Sequence, residues 1–192
     1  NTEPMGMILL IALFFPLGLL CAMGSTGLRP GALLLAPWAA LPAFLAAIFL
    51  PAQTSLESSW LFLGGAFELD RLARVFLCFS AGLWLAAGIY ARGYYASTHK
   101  PKTTSFFAWF LGSMGGNLVL IPAQDLLTYI SFFALMSFCA YGLIVHERSA
   151  ANLFAGKIYI AMAILGEVAA FGGLVWVCFL AEGSVTFSAG VT

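Results

Sequence analysis

Six runs of apolar residues, each about as long as a bilayer core is thick, leave this chain few folds to choose from. A helix needs ~20 such residues to cross a hydrocarbon layer ~30 Å deep. The runs fall at Met5–Met23, Gly31–Leu50, Leu72–Tyr90, Ser105–Ile121, Leu126–Val145 and Ile158–Leu180. They are continuously apolar, whereas outer-membrane barrel strands alternate apolar and polar over ~10 residues. The expected class is therefore all-α: a polytopic membrane helical bundle, six transmembrane helices in a single membrane domain over residues 1–192.

The breaks between runs carry turn residues and charge. Gly24-Ser25-Thr26-Gly27-Leu28-Arg29-Pro30 and Ser97-Thr98-His99-Lys100-Pro101-Lys102 are examples, and such mixtures mark chain reversals at a membrane surface. Pro16, Pro37 and Pro42 lie inside runs, where membrane helices accommodate proline by local kinking. The stretch Gln53–Asp70 is the longest polar break, and Trp60-Leu61-Phe62-Leu63 within it suits a short surface strand or an interfacial segment. The first run follows Asn1-Thr2-Glu3-Pro4. A signal peptide would carry positive charge there, so this run reads as a mature helix.

Only eight Lys+Arg and eight Asp+Glu are spread over the chain. That supply excludes a basic nucleic-acid groove and the polar shell of a soluble enzyme. Lysine and arginine nevertheless set an orientation. Arg29, Arg92, Lys100, Lys102, Arg148 and Lys157 lie on the first, third and fifth loops, against Arg71 and Arg74 on the other side. The positive-inside rule puts those three loops in the cytoplasm and both chain ends outside, in a cell (inner) membrane.

No residue pattern points to a cofactor. Cys21, Cys78, Cys139 and Cys178 all lie in apolar runs without Cys-x-x-Cys spacing, and read as small packing residues rather than metal ligands. His99 and His146 fall at or beyond helix ends, where solvation or the interface explains them better than haem ligation. There is no phosphate-binding glycine loop, zinc-protease motif or catalytic triad arrangement, so the chain is expected to have no catalytic site of its own. Gly112-x-x-x-Gly116 allows close helix approach within the bundle.

Glu167 is the one charge left near the middle of a run. It follows Lys157 by ten residues, a rise of ~15 Å on a helix and about half the bilayer. Ala163, Gly166 and Ala170 flank it, giving a small face suited to helix packing. An intramembrane carboxyl marks proton or ion handling by default; the alternative is a structural interhelical hydrogen bond. Lys157 either snorkels at the rim or attends a water path toward Glu167. Asn117, Ser131, Ser137 and Tyr141 either line such a path or bridge helices. His146, Glu147 and Arg148 form a candidate cytoplasmic-rim group.

Phe67-Glu68-Leu69-Asp70, Ile89-Tyr90-Ala91-Arg92-Gly93-Tyr94-Tyr95, Asp125-Leu126-Leu127 and Cys139-Ala140-Tyr141-Gly142-Leu143-Ile144 together resemble the antiporter-like proton-translocating membrane subunits. That family includes complex I proton-channel subunits, Mrp-type cation/proton antiporters, membrane-bound hydrogenase subunits and relatives in inorganic-carbon uptake. The resemblance covers roughly Glu68 to Leu180. It implies that the six spans are the leading helices of a bundle of about fourteen, with inverted repeats beginning at the fourth span, and that these residues are a fragment of a longer subunit. Family members carry a glutamate seven residues before the tyrosine matched by Tyr141, and here that position is Ala134.

The expected function is a membrane subunit of a proton- or cation-translocating complex, moving protons or Na+ through intramembrane polar residues and water. Its partners would be the lipid bilayer, other membrane subunits and a peripheral catalytic subunit that supplies the chemistry. The alternative is a non-conducting, antiporter-derived scaffold anchoring a catalytic or inorganic-carbon-uptake partner. Ala134 favours the scaffold, and Glu167 favours transport. A redox enzyme binding haem or quinone by itself lacks ligands.

Overall fold

The computed structural model describes residues 2–51, 54–58, 65–98 and 103–180. Helix α1 spans Thr2–Gly24; α2 (Arg29–Leu35), a 3₁₀ turn (Ala36–Trp38) and α3 (Leu41–Phe49) follow. A hairpin of β1 (Thr54–Ser58) and β2 (Gly65–Leu69) leads into α4 (Arg71–Thr98), α5 (Thr103–Leu120), α6 (Leu126–Val145) and α7 (Ala150–Leu180). Among the described residues, four helices, α1, α4, α6 and α7, are by themselves long and apolar enough to cross a membrane, and the bent pair α2–α3 counts as a fifth where it is taken as one span. Trp60–Leu63, the loop His99–Lys102 and the last twelve residues lie outside the described residues.

The second expected span is broken rather than kinked. Its two halves meet at 42°, and Pro30, Pro37 and Pro42 each occupy the first turn of a new short segment. Proline lacks an N–H and has a helix-ready φ, so it opens a helix better than it continues one. Two arginines of α4 bracket the result: Arg74 donates through Nη2 to the Leu50 carbonyl, and Arg92 through Nη1 to the Leu34 carbonyl at 3.4 Å. Between them α4 passes so close to the break that a methyl on Gly88 would lie 2.7 Å from the Pro37 carbonyl oxygen.

Two other boundaries move outward from the apolar runs. Helix α4 continues past Tyr90 to Thr98, and α7 starts at Ala150 rather than Ile158. Arg148, at φ 55°, takes the left-handed conformation that ends α6, and Ser149 then accepts the Asn152 N–H at 3.1 Å and opens α7. The serine cap, invisible to a hydropathy scan, sets that start.

The hairpin makes the fold all-α with a two-stranded exception. β1 and β2 pair antiparallel, Thr54 with Leu69 through Ser58 with Gly65. β2 is also paired on its other edge, because Glu68 N–H donates to the Pro122 carbonyl at 2.9 Å and Gln124 N–H to Ala66 at 2.8 Å. Asp125 fastens this seam: one carboxylate oxygen caps α6 through Thr128 N–H at 2.7 Å, the other accepts Ala66 N–H at 3.1 Å. Both edges of β2 are thereby used up inside the protein rather than left to lipid or solvent.

Helix α5 lies inside the bundle, with ten of its residues buried between α1 and α6. Three glycines make room. A methyl on Gly116 would sit 2.8 Å from the Met136 nitrogen and 2.9 Å from the Phe132 carbonyl oxygen, and one on Gly115 would sit 2.6 Å from Leu17. The Gly112–Gly116 pair therefore does the packing that its spacing suggests. Gly93, in contrast, has nothing within 4 Å of such a methyl. Gly116→Ala should lower unfolding stability by about 1–3 kcal/mol through overpacking, while Gly93→Ala should raise it by about 0.5–1 kcal/mol through helix propensity. Thermal unfolding in one detergent would check both; equal effects would mean that α5 and α6 are not in backbone contact.

Candidate functional site

Helix α7 carries a seam of partly covered residues on a mostly exposed surface. Gly156 is buried, and Ile160, Ala163, Glu167, Ala170 and Leu174 are half-buried, alternating at four- and three-residue steps. That rhythm keeps one face of a helix toward a neighbour, here α6, against which α7 packs. Glu167 thus sits on the inward seam among alanines. Because α7 begins at Ala150, the carboxyl lies about 5 Å beyond the midpoint of the span Ala150–Val177.

The other sequence-selected residues divide between two faces of α6. On the α7 side, Tyr141 is half-buried and packs beside Gly156, where a methyl would lie 3.1 Å from its ring. Lys157, the next residue, is exposed. Among the described residues, no hydrogen bond joins Lys157, Tyr141 and Glu167 to one another. On the α5 side, Asn117 accepts the Trp84 indole N–H through Oδ1 at 2.9 Å and turns its amide Nδ2 toward the Met136 sulfur at 3.5 Å. Ser137 is buried at 4% exposure. Ala134, at the middle of α6, is half-buried, so a side chain there would face protein on at least one side.

The rim group also separates. Glu147 and Arg148 are exposed, but His146 is half-buried where the last turns of α4 and α6 meet the first turn of α5. Its Nδ1–H donates to the Leu143 carbonyl at 2.8 Å, which leaves Nε2 to accept the Tyr95 hydroxyl at 2.8 Å. Phe106 stands against the imidazole edge at a centroid distance of 5.5 Å. A groove of about 520 Å³ opens beside this cluster, lined chiefly by Trp84, Tyr90, Tyr94, Phe110 and Leu143.

Trp84 and Tyr95 were not legible as site residues, since an aromatic in an apolar run gives no sign of what its polar atom meets. Asp125 was within reach: an acid directly before the apolar run Leu126–Val145, with Thr128 three residues on, fits a helix-cap pattern. No three His, Cys, Asp or Glu side chains converge as a metal site among the described residues.

The start of α1, the hairpin and the α5–α6 turn lie together at one end of the bundle. The start of α1 meets the hairpin, with Gly6 against Leu56 and the Ser55 carbonyl, and the hairpin meets the α5–α6 turn. At the opposite end Tyr95 meets His146. Tyr95→Phe removes one partly buried hydrogen bond and should cost about 0.5–1.5 kcal/mol; His146→Ala on that background should cost less than on the wild type. Additive losses in the double variant would deny the coupling.

No protein-family model matches the chain. Over 111 residues it is 32% identical to the NADH-quinone oxidoreductase subunit N of Ruthia magnifica subsp. Calyptogena magnifica, a match covering 57% of this chain and 23% of that protein. Over 96 residues it is 34% identical to a probable K(+)/H(+) antiporter subunit of Rhizobium meliloti (strain 1021), covering 49% and 17%. The fold is similar to a chain in the membrane-bound sulfane sulfur reductase, an archaeal respiratory membrane complex, with a TM-score of 0.65 at 18% identity over 96% of this chain and 38% of that one. The chain thus spans less than a quarter of each of these two curated relatives. These likenesses bear out the resemblance to antiporter-like membrane subunits and the helical membrane-bundle class.

Proposed function

We propose that the chain is part of a membrane subunit of a proton- or cation-translocating complex, with Glu167 handling the ion and partner subunits supplying the driving chemistry. The observation that carries this reading is the carboxyl on the inward seam of α7. An acid near mid-bilayer is expensive and persists where it faces protein or water rather than lipid. The similarity to a quinone oxidoreductase subunit and to an antiporter subunit supports it.

In this reading Tyr141 stands toward the rim end of the same α6–α7 interface with Lys157 exposed beside it, and water bridges the interval between them and Glu167. Water is required because side chains alone do not connect them. Protons or Na+ are the cargo, and the residues form a single membrane domain that is the leading part of a longer subunit. In the assembled complex reconstituted into vesicles, Glu167→Gln should lower ion-coupled activity at least tenfold, without loss of assembly. Unchanged activity would sink the relay.

A second reading rests on Ala134. The mid-membrane acid implied by the family resemblance is missing from α6, which suits a non-conducting scaffold that anchors a catalytic or inorganic-carbon-uptake partner. Restoring it as Ala134→Glu distinguishes the two: a conducting subunit keeps or gains transport, and a scaffold shows none in either form.

The sidedness that follows from the lysines and arginines is cytoplasmic first, third and fifth loops. A reporter inserted after Lys100 should be reachable only from the cytoplasm; labelling by an impermeant reagent from outside would reverse the topology.

A further inference from the structure

Helix α7 is apolar along most of its length, and the hydrogen-bonding side chains that it carries between its start and Glu167 are Asn152, Lys157 and Tyr159. Lys157 is exposed, whereas Asn152 and Tyr159 are half-buried like Glu167 itself. Spacing explains the difference. Asn152, Tyr159 and Glu167 follow one another at steps of seven and eight residues, and at 100° per residue all three fall within a quarter turn of the helix. They share the inward side with Gly156 and Ala163, and Lys157 does not.

Tyr159 lies about 7 Å on the rim side of the midpoint of the span Ala150–Val177, and Glu167 about 5 Å beyond it. A phenol and a carboxyl thus straddle mid-membrane on one seam. Midway between them stands Ala163, which offers the interval only a methyl group. Across that interval the charge of Glu167 acts on the Tyr159 hydroxyl. Among the described residues the hydroxyl has no hydrogen-bond partner, and a phenol at this depth is costly without one. A hydroxyl both donates and accepts, as a chain of proton transfers requires, while a lysine ammonium only donates.

We propose, on the reading of Glu167 as the ion-handling carboxyl and with the proton as its cargo, that Tyr159 relays protons between the rim and Glu167. In each transfer the phenol oxygen takes a proton from water on its rim side as its own O–H proton passes to water on the Glu167 side. That water gives a proton to the carboxylate, and the phenol ends unchanged. Asn152, about 10 Å nearer the rim, holds the first water through an amide that donates and accepts. A tyrosine that only packed α7 or bonded a neighbouring helix would set how much subunit folds and assembles, not how fast a proton crosses it.

Tyr159→Phe removes the hydroxyl and keeps the ring. In the assembled complex reconstituted into vesicles, it should lower ion-coupled activity per assembled complex by about tenfold, and raise the solvent deuterium isotope effect because proton transfer becomes the slow step. Ala163→Leu, which fills the interval between phenol and carboxyl, should slow the complex in the same way. Tyr159→Phe combined with Glu167→Gln should be no slower than Glu167→Gln alone, since both groups lie on one route. Full activity of Tyr159→Phe beside an inactive Glu167→Gln would overturn the relay while leaving Glu167 as the ion-handling group; an active Glu167→Gln would remove both. Less assembled complex with unchanged turnover per complex, or slowed turnover with an unchanged isotope effect, would make Tyr159 a packing residue and overturn the proposal.

Discussion

Backbone-to-backbone approach at α5 is the constraint on which the rest of the bundle depends. In a membrane the hydrophobic effect does not drive helices together, so association rests on van der Waals contact and interhelical hydrogen bonds. Gly112 and Gly116 bring α5 against α6, and Gly115 accommodates Leu17 of α1. Once α5 is surrounded in this way, Ser113 and Asn117 are inside protein rather than lipid, where their polar groups find Met136 and Trp84. A helix with three glycines, a serine and an amide would be a poor lipid-facing span. Its polarity follows from its central position.

The same accounting explains the end of the bundle that bears the hairpin. Backbone groups near a membrane must be paired within the protein, and β2 has partners on both edges because the turn before α6 serves as a short third strand. Asp125 joins two obligations in one side chain, satisfying the first turn of α6 and a strand amide. The broken second span meets its obligations differently, through proline at each restart and arginine donors from α4 at its carbonyl ends.

How legible this was in the sequence depends on the range of the interaction. Hydropathy located the helices α1, α4, α6 and α7, since each run encodes its own burial in lipid, and the glycine spacing marked the α5–α6 contact. The Ser149 cap and the left-handed Arg148 shifted the start of α7 because a two-residue device outweighs the hydropathy of about two turns. Strands β1 and β2 were hidden, with the apolar Trp60–Leu63 drawing attention to the segment between them. For the site, Glu167 stood out as a lone charge, but its inward seam appears only when α6 is beside it. The bonds Trp84–Asn117 and Tyr95–His146 join residues 33 and 51 positions apart, and no local pattern encodes them.

Position along α6 and α7 also limits what Glu167 can replace. Both helices leave the turn at His146–Ser149 and run side by side. The two helices are level where Gly156 of α7 meets Tyr141 and Val145 of α6. From that contact Glu167 lies about 16 Å along α7, and Ala134 between about 10 Å and about 16 Å along α6. The carboxyl of this chain is therefore within about 6 Å of the depth at which the family resemblance implies an acid, but on the neighbouring helix, and a proton route through it would run along α7. Asn117 lies across α6 from that route, against Trp84 and Met136.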